Sequence, residues 1–288
     1  MFTASRTRRA AALLGSAALL ALAGCGDDEK DTADTPDATE AAAIPAPAAI
    51  KSAGKITFCS DIAYPPMEFY EGSDEEGADI DIAEELADRM DVDAEFTNTG
   101  FDGIIAALKA KKCDAIISSL TNSPERAKEI FFVDYAQFGL ALLIKKGTTG
   151  IDSVEALSGK TVAVQVGTTT KQALEAESKK IVDSGKPAIK VQTFPKDTDA
   201  ANALRTGKVD AYLTDAPPAA YFVKQAPNDF ELAATPQIEP APVGIGLRKD
   251  DNELQIAIKT GIDAMTDDGK LKEILDKWEL GEFMLAAQ

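Results

Sequence analysis

A ten-residue pattern occurs twice in this chain of 288 residues. Leu108-Lys109-Ala110-Lys111-Lys112-Cys113-Asp114-Ala115-Ile116-Ile117 and Leu204-Arg205-Thr206-Gly207-Lys208-Val209-Asp210-Ala211-Tyr212-Leu213 share the form L-[KR]-x-x-K-x-D-A-x-[IL]. Each copy reads as the end of an amphipathic helix running into a buried strand. A solenoid would need several copies at a fixed period, so two copies predict two lobes of similar topology. Two lobes imply a cleft.

The first strand, expected over 113–117, leads into Ser118, Ser119 and Thr121, and the second leads into Thr214-Asp215. Ligands of open α/β sheets bind just past the carboxyl ends of the strands, so these groups are placed at the cleft. Arg126 follows at the start of another helix and carries the planar fork that grips a carboxylate with two hydrogen bonds. On local sequence alone it could equally pair with Glu125 or Glu129 on a solvated helix face. With hydroxyls and an arginine from one lobe and a carboxylate from the other, opposite charges face each other, which suits a zwitterion. Its carboxylate would lie on Arg126 and its ammonium on Asp215.

Along the rest of the chain, strands alternate with helices. Residues 56–60 and 92–96 read as strands, with a helical stripe over 79–90 and a helix over 102–111. Ser123-Pro124 reads as an N-cap followed by proline at the first helical position. The apolar run 140–144 leads into the second lobe. There the strand 161–165 is followed by Gly167-Thr168-Thr169 at a helix start, an arrangement whose unpaired amides point at an anion. It could also be an ordinary capped turn. Strands follow at 190–194 and 208–213, a Pro-rich return crossing at 236–242, and amphipathic helices at 253–265 and 271–278. This order argues for mostly parallel sheets covered on both faces, an α/β fold. The chain would cross between lobes twice, the setting for hinge closure.

Residues 1–24 have a basic start (Arg6, Arg8, Arg9), an apolar run over 10–21 and a small-residue cleavage site, the layout of a secretory signal. The run is shorter than the roughly 20 residues a membrane span needs. Leu22-Ala23-Gly24-Cys25 resembles the bacterial lipobox, in which the cysteine is lipidated and becomes the first residue. Residues 26–54, acidic and then rich in alanine and proline, read as a disordered tether with a reach on the order of 30 Å. Removal of residues 1–24 shifts the formal charge from −18 to −21, which argues against nucleic acid as a partner. Cys59 and Cys113 remain. Treating both as residues of adjacent parallel strands puts them out of step by about three residues, some 10 Å, too far for a disulfide, so two buried thiols are expected. The chain contains no histidine, which excludes a serine-histidine triad and leaves no clustered zinc ligands.

Taken together, Asp61-Ile62-Ala63-Tyr64-Pro65-Pro66-Met67-Glu68-Phe69, 77–87, 100–126, 162–169, 209–215 and 246–278 resemble, in order and spacing, the polar amino-acid-binding proteins of ABC importers. That family includes the lysine/arginine/ornithine-, histidine- and glutamine-binding proteins. The resemblance covers about 55–283 and implies a two-lobed periplasmic-binding-protein type II fold. Lobe 1 would be 55–140 plus 246–288, lobe 2 would be 146–241, and the hinge 141–145 with 242–245. It further implies that Arg126 holds the ligand's α-carboxylate with Thr121 and the Thr168 and Thr169 amides. Asp215 and Ser119 would hold the ammonium, Tyr64 and Phe101 would sandwich the side chain, and Asp61 would lie at its far end. The expected protein is a monomeric binder without catalytic activity or cofactor, lipid-anchored at the outer face of the cytoplasmic membrane. It would deliver a polar L-amino acid, cationic or next glutamine, to a membrane permease. Two alternatives stand beside it. One is an enzyme like the cyclohexadienyl dehydratases of the same fold, with Glu68 or Asp215 as its acid; the other is a ligand-sensing lipoprotein.

Overall fold

A computed structural model describes residues 43–233 and 238–285. The expected signal segment, the Cys25 lipidation site and most of the expected tether lie outside the described residues, as does Pro236 at the start of the predicted return crossing.

In chain order the elements are α1 (Ala48–Ala53), β1 (Lys55–Ser60), β2 (Phe69–Glu71), β3 (Asp74–Glu76), α2 (Ala78–Arg89), β4 (Asp93–Asn98), α3 (Ile104–Lys109), β5 (Ala115–Thr121), α4 (Pro124–Ala127) and β6 (Phe131–Lys145). There follow β7 (Thr161–Gln165), α5 (Thr169–Asp183), β8 (Lys190–Phe194), α6 (Asp197–Arg205), β9 (Ala211–Asp215), α7 (Ala216–Gln225), β10 (Phe230–Leu232), β11 (Ile238–Leu247), α8 (Asn252–Asp267) and α9 (Lys270–Lys277). The main sheet has nine strands in the order β4-β1-β5-β11-β6-β9-β7-β8, with β10 against β6; β2 and β3 form a separate hairpin. Two parallel triplets, β4-β1-β5 and β8-β7-β9, are joined through the antiparallel β11 and β6. β6 pairs with β11 up to Leu140 and from Leu140 onward with β9, so this one long strand belongs to both halves.

The repeated decapeptide accounts for this symmetry. The Asp114 amide donates to the Thr57 carbonyl (2.8 Å) and its carboxylate accepts from the Thr57 amide (2.9 Å), fastening β5 to β1. The Asp210 amide and carboxylate make the same two bonds with Thr161, at 2.8 and 2.7 Å, fastening β9 to β7. Lys111 and Gly207 occupy matching positions after their helices and share a left-handed backbone, φ 58° and 75°. This is the usual way a helix is ended so that the chain can turn back into a strand.

The inner strands of each triplet are buried on both faces, while the edge strands β4 and β8 are partly exposed. Along β7, Val162 and Val164 face one core with Leu174 and Ile181, while Ala163 faces the other with Leu204 and Tyr212, the two-residue alternation of a strand. In the other half, Phe58, Ile82, Leu86, Ile258 and Leu275 form one core and Ile104, Leu108 and Ile116 the other. No helix among the described residues is long and apolar enough to cross a membrane.

The structure corrects three expectations. Residues 43–54, assigned to the tether, are part of the folded body: Ile44 and Ile50 are buried, and the Ile44 amide donates to the Arg89 carbonyl at 2.8 Å. Their apolar side chains fill a gap beside α2 and α8 that the Ala/Pro-rich composition concealed. The strand expected over 113–117 runs instead from Ala115 to Thr121 and that expected over 208–213 from Ala211 to Asp215, so Ser118, Ser119, Thr121, Thr214 and Asp215 are strand residues rather than following the strands. Cys59 and Cys113 are joined in a disulfide, with Cα atoms 5.6 Å apart. The distance argument failed because Cys113 is not extended: it lies in a bend before β5 that folds the thiol back beside β1.

The bridge spans 54 positions, and a loop of that size removes roughly 4 kcal/mol of unfolded-state entropy in the chain-entropy description. Reduction is therefore expected to lower the unfolding midpoint by several degrees, about 5 °C or more. Thermal denaturation with and without reductant measures this, and coincident curves would contradict it.

Candidate functional site

The parallel triplets turn their carboxyl ends toward one another, and a cavity lies between them. Every expected ligand-binding residue lines it: Asp61 and Tyr64 after β1, Phe101 before α3, Ser118, Ser119 and Thr121 at the end of β5, Arg126 on α4, Thr168 and Thr169 at the start of α5, and Asp215 at the end of β9. The enclosed space is only about 20 Å³, little more than a single water requires. The two halves are thus closed on each other.

Arg126 is presented by the capped turn predicted from sequence. Ser123 accepts from the Arg126 amide at 3.3 Å, with Pro124 at the first helical position. The guanidinium turns inward. Glu129 pairs instead with Lys109 at 2.8 Å, which disposes of the solvated-face alternative for that residue. Nη1 donates to the Thr121 carbonyl (3.0 Å) and Nη2 to the Gly167 carbonyl of the opposite half (3.1 Å), while the group lies 5.3 Å from the centre of the Phe101 ring. Burial pulls its pKa down to about 10, opposed by the charge of Asp215. A half-buried guanidinium whose hydrogen-bond partners are two neutral carbonyls has no anion against it among the described residues.

Asp215 is the converse. Burial raises its pKa to about 6, against the pull of the Tyr64 hydroxyl and Arg126. Tyr64 Oη donates to Asp215 Oδ2 at 2.5 Å, bridging the halves. Asp61, also buried, accepts at 2.5 Å from Nε2 of Gln165 on the far side, and burial raises its pKa despite that bond. Thr168 caps α5, accepting from the Lys171 amide at 3.1 Å and donating to the Gln165 carbonyl at 2.8 Å; Thr169 Oγ1 meets Thr121 Oγ1 across the cleft at 3.3 Å.

Two candidates are engaged differently from expectation. Ser118 Oγ donates to Glu68 Oε1 (2.8 Å) and accepts from the Asp61 amide (3.0 Å); Ser119 donates both its amide (2.6 Å) and its hydroxyl (3.3 Å) to Asp79. Their hydroxyl hydrogen atoms serve a buried acidic layer beneath the cavity rather than an anion above it. That layer, Glu68 and Asp79 with Tyr135 Oη donating to Asp79 at 2.5 Å, holds Ser119 at φ 44°. Burial lifts the Asp79 pKa to about 6 and drives that of Glu68 well upward, with the charge of Asp79 adding to the effect.

The sequence reading missed Gln165 and Asp197. Gln165 was legible in principle, since it is the last residue of β7 and the ends of these strands build the cavity. Asp197 begins α6 and had no local signal; the loop from β8 carries it in.

Gly167 has φ 80°, and a Cβ there would lie 2.7 Å from the Asp102 Cα of the other half. Outside the cavity the halves also meet where the Phe69 ring, backed within its own half by Trp278 (5.7 Å), approaches Tyr221 (5.9 Å), and where Lys224 pairs with Glu279 at 2.5 Å.

Two parallel α/β triplets bridged by long shared strands, with polar groups of both converging between them, define a periplasmic-binding-protein type II fold. The chain belongs to the bacterial extracellular solute-binding proteins of family 3, whose model matches residues 56–282. It is 31% identical over 233 residues to the L-cystine-binding protein of Escherichia coli K12, covering 80% of this chain and 84% of that one. With the ABC transporter arginine-binding protein 1 of the same strain it shares 29% over 232 residues, covering 79% and 91%. A crystal structure of an ancestral amino-acid-binding protein, described as a precursor of cyclohexadienyl dehydratase, superposes with a TM-score of 0.72 at 33% identity, covering 80% of this chain and 97% of that one. The curated relatives are binding proteins of amino acid transport.

Proposed function

We propose that the protein captures a polar L-amino acid with a cationic side chain, glutamine being next in preference, and hands it to an ABC import permease. The supporting observation is the placing of a half-buried arginine, hydrogen-bonded to neutral carbonyls alone, across one cavity from a buried aspartate. An α-carboxylate satisfies Arg126 with two charge-assisted bonds, helped by Thr121 and the amides at the start of α5. The α-ammonium replaces the Tyr64 hydroxyl on Asp215, with Ser119 alongside. Tyr64 and Phe101 then flank the side chain, and Asp61 meets its far end. A cation over an aromatic face gains about 0.5 to 2 kcal/mol, which favours arginine, lysine or ornithine over an amide.

Because the closed cavity is smaller than any amino acid, loading requires opening. We place the hinge at 141–145 and 242–245, beside the point where β6 exchanges β11 for β9, with the lobes divided there. A ligand drives closure only through what the second lobe adds, here Asp215 and the α5 terminus. In this reading the protein acts as a monomer held by a lipidated Cys25 outside the cytoplasmic membrane.

Calorimetric titration of purified protein against the amino acids, ornithine, citrulline and cystine tests this, after unfolding and refolding with the disulfide intact to remove carried-over ligand. One tight, stoichiometric cationic L-amino acid is expected; tight binding of aspartate or glutamate alone would refute the preference. The arginine-binding relative supports a distal cation, and cystine too carries an ammonium at its far end. Glu68 supports a second reading, a cyclohexadienyl dehydratase-like enzyme, because a buried acid of raised pKa is what protonation of a leaving hydroxyl needs. Absence of turnover of cyclohexadienyl substrates would dismiss it.

The proton on Asp215 competes with the ligand ammonium. With its pKa near 6 in the closed protein, the carboxylate is available above that pH and progressively blocked below it. Affinity should therefore fall toward tenfold per unit of pH below about 6. Titrations at pH 5 and 7 measure the effect, and equal affinities would remove Asp215 from the ammonium site.

A further inference from the structure

Asp197 is unused by the reading above. Its side chain is fully buried at the first residue of α6, yet it does not cap that helix. Oδ1 accepts from the hydroxyls of Tyr212 and Thr214, the latter at 3.1 Å, which fixes the carboxyl plane. Oδ2 is shut away from solvent and has no hydrogen-bond partner, while the residue lines the same cavity. Buried polar atoms are nearly always paired, so an orphan oxygen held rigidly at a cavity wall points to a donor that comes and goes.

The surroundings indicate which donor. The charged groups acting on Asp197 are Asp215 and Asp61, both acidic and both buried. Asp215 is opposed by Arg126; Asp61 accepts from the neutral Gln165 and feels the charge of Lys196, which does not line the cavity. Among the lining residues Arg126 is the one cation against Asp61, Glu68, Asp197 and Asp215. A neutral amide could satisfy Asp61 by hydrogen bonding but would leave the clustered acids uncompensated. A positive group between Asp61 and Asp197 supplies donors to both and offsets their mutual repulsion.

We propose that Asp197 is a specificity-determining residue of this cavity, its Oδ2 receiving the distal cation of the ligand in concert with Asp61. The assignment rests on the amino-acid-binding reading and adds the element that separates a cationic side chain from an amide of similar length. Burial drives the carboxyl pKa of Asp197 well upward in the closed protein, and a cation at Oδ2 would pull it back down.

The test is calorimetry with L-arginine, L-citrulline and L-glutamine on the refolded protein and on its Asp197→Asn variant. Asparagine keeps the acceptor for Tyr212 and Thr214 but cannot carry charge. Wild type should bind arginine about tenfold or more tightly than citrulline. The variant should lose about tenfold or more for arginine while glutamine stays within about twofold. An arginine-to-glutamine ratio that does not move in the variant overturns the role of Asp197 and leaves the amino-acid reading intact. Should the variant not fold, equal affinity of wild type for arginine and citrulline overturns it without any substitution. Wild type binding none of the three would bring down the underlying reading together with this assignment.

Discussion

Arg126→Ala is expected to weaken amino acid binding by tens- to thousands-fold, roughly 2 to 5 kcal/mol, the range for removing one partner of a buried, hydrogen-bonded charge pair. The size of the effect follows from the site. Desolvation lowers the pKa of the guanidinium to about 10, and its removal leaves the ligand carboxylate in the closed cavity without a charged partner. Its remaining contacts, the Thr121 and Gly167 carbonyls and the Phe101 ring, are at the cavity, the ring resting on the edge of the core around Ile104 and Leu108. The unfolding midpoint should therefore change little while binding collapses. Arg126→Lys should recover only part of the loss, since an ammonium cannot reproduce the two-pronged fork. Calorimetry and thermal unfolding on the same preparations separate the two effects, and wild-type affinity in Arg126→Ala would sink the site.

The second large effect is expected at a residue with no side chain. Gly167→Ala places a methyl group 2.7 Å from Asp102 Cα and 3.2 Å from its backbone nitrogen, atoms that cannot swing aside as a flexible side chain does. The left-handed backbone at φ 80° adds about 1 kcal/mol or more of local strain. Asp102 belongs to the opposite half, so the clash arises when the halves meet. Affinity for every amino acid should fall by a common factor of about ten or more, with ligand preference unchanged. Small-angle scattering should find that saturating ligand fails to contract the variant as it contracts the wild type. Normal contraction with a changed preference would mean that Gly167 contacts ligand instead of governing closure.

The repeat around Asp114 and Asp210 foretold the architecture because it encodes a local device, a helix stop followed by a clamp onto the neighbouring strand, that the fold uses twice. Strand ends were harder to read. The strand through Ser118 and Ser119 looked finished at Ile117 because serines normally mark loops; here buried Glu68 and Asp79 supply partners from sequence-distant segments, and the ladder continues. The same non-local acids take the hydroxyl protons of both serines, leaving their oxygens only as acceptors toward the cavity. Cys59 and Cys113 were misjudged for a similar reason, since a three-residue bend has no periodic signature. The hairpin β2–β3 carries too few residues to show alternation. Asp61, Tyr64 and Phe101 came from the family resemblance, whereas Arg126, Thr168 and Asp215 were legible because topology sends strand and helix termini to the cleft. Asp197 was not, because its loop decides where it goes.

The contacts across the halves of Phe69 with Tyr221 and of Lys224 with Glu279 lie outside the cavity, with Trp278 behind the Phe69 ring. The exposed ion pair contributes little by itself, but the aromatic cluster is apolar area covered when the halves meet. Such contacts cannot tell one amino acid from another. What they set is how readily the empty protein shuts, and hence the fraction of molecules that must first be prised open to accept anything. Strength of retention and choice of cargo are thereby written on different surfaces, and substitutions at the outer seam could retune uptake to scarce or abundant nutrient without disturbing which nutrient is taken.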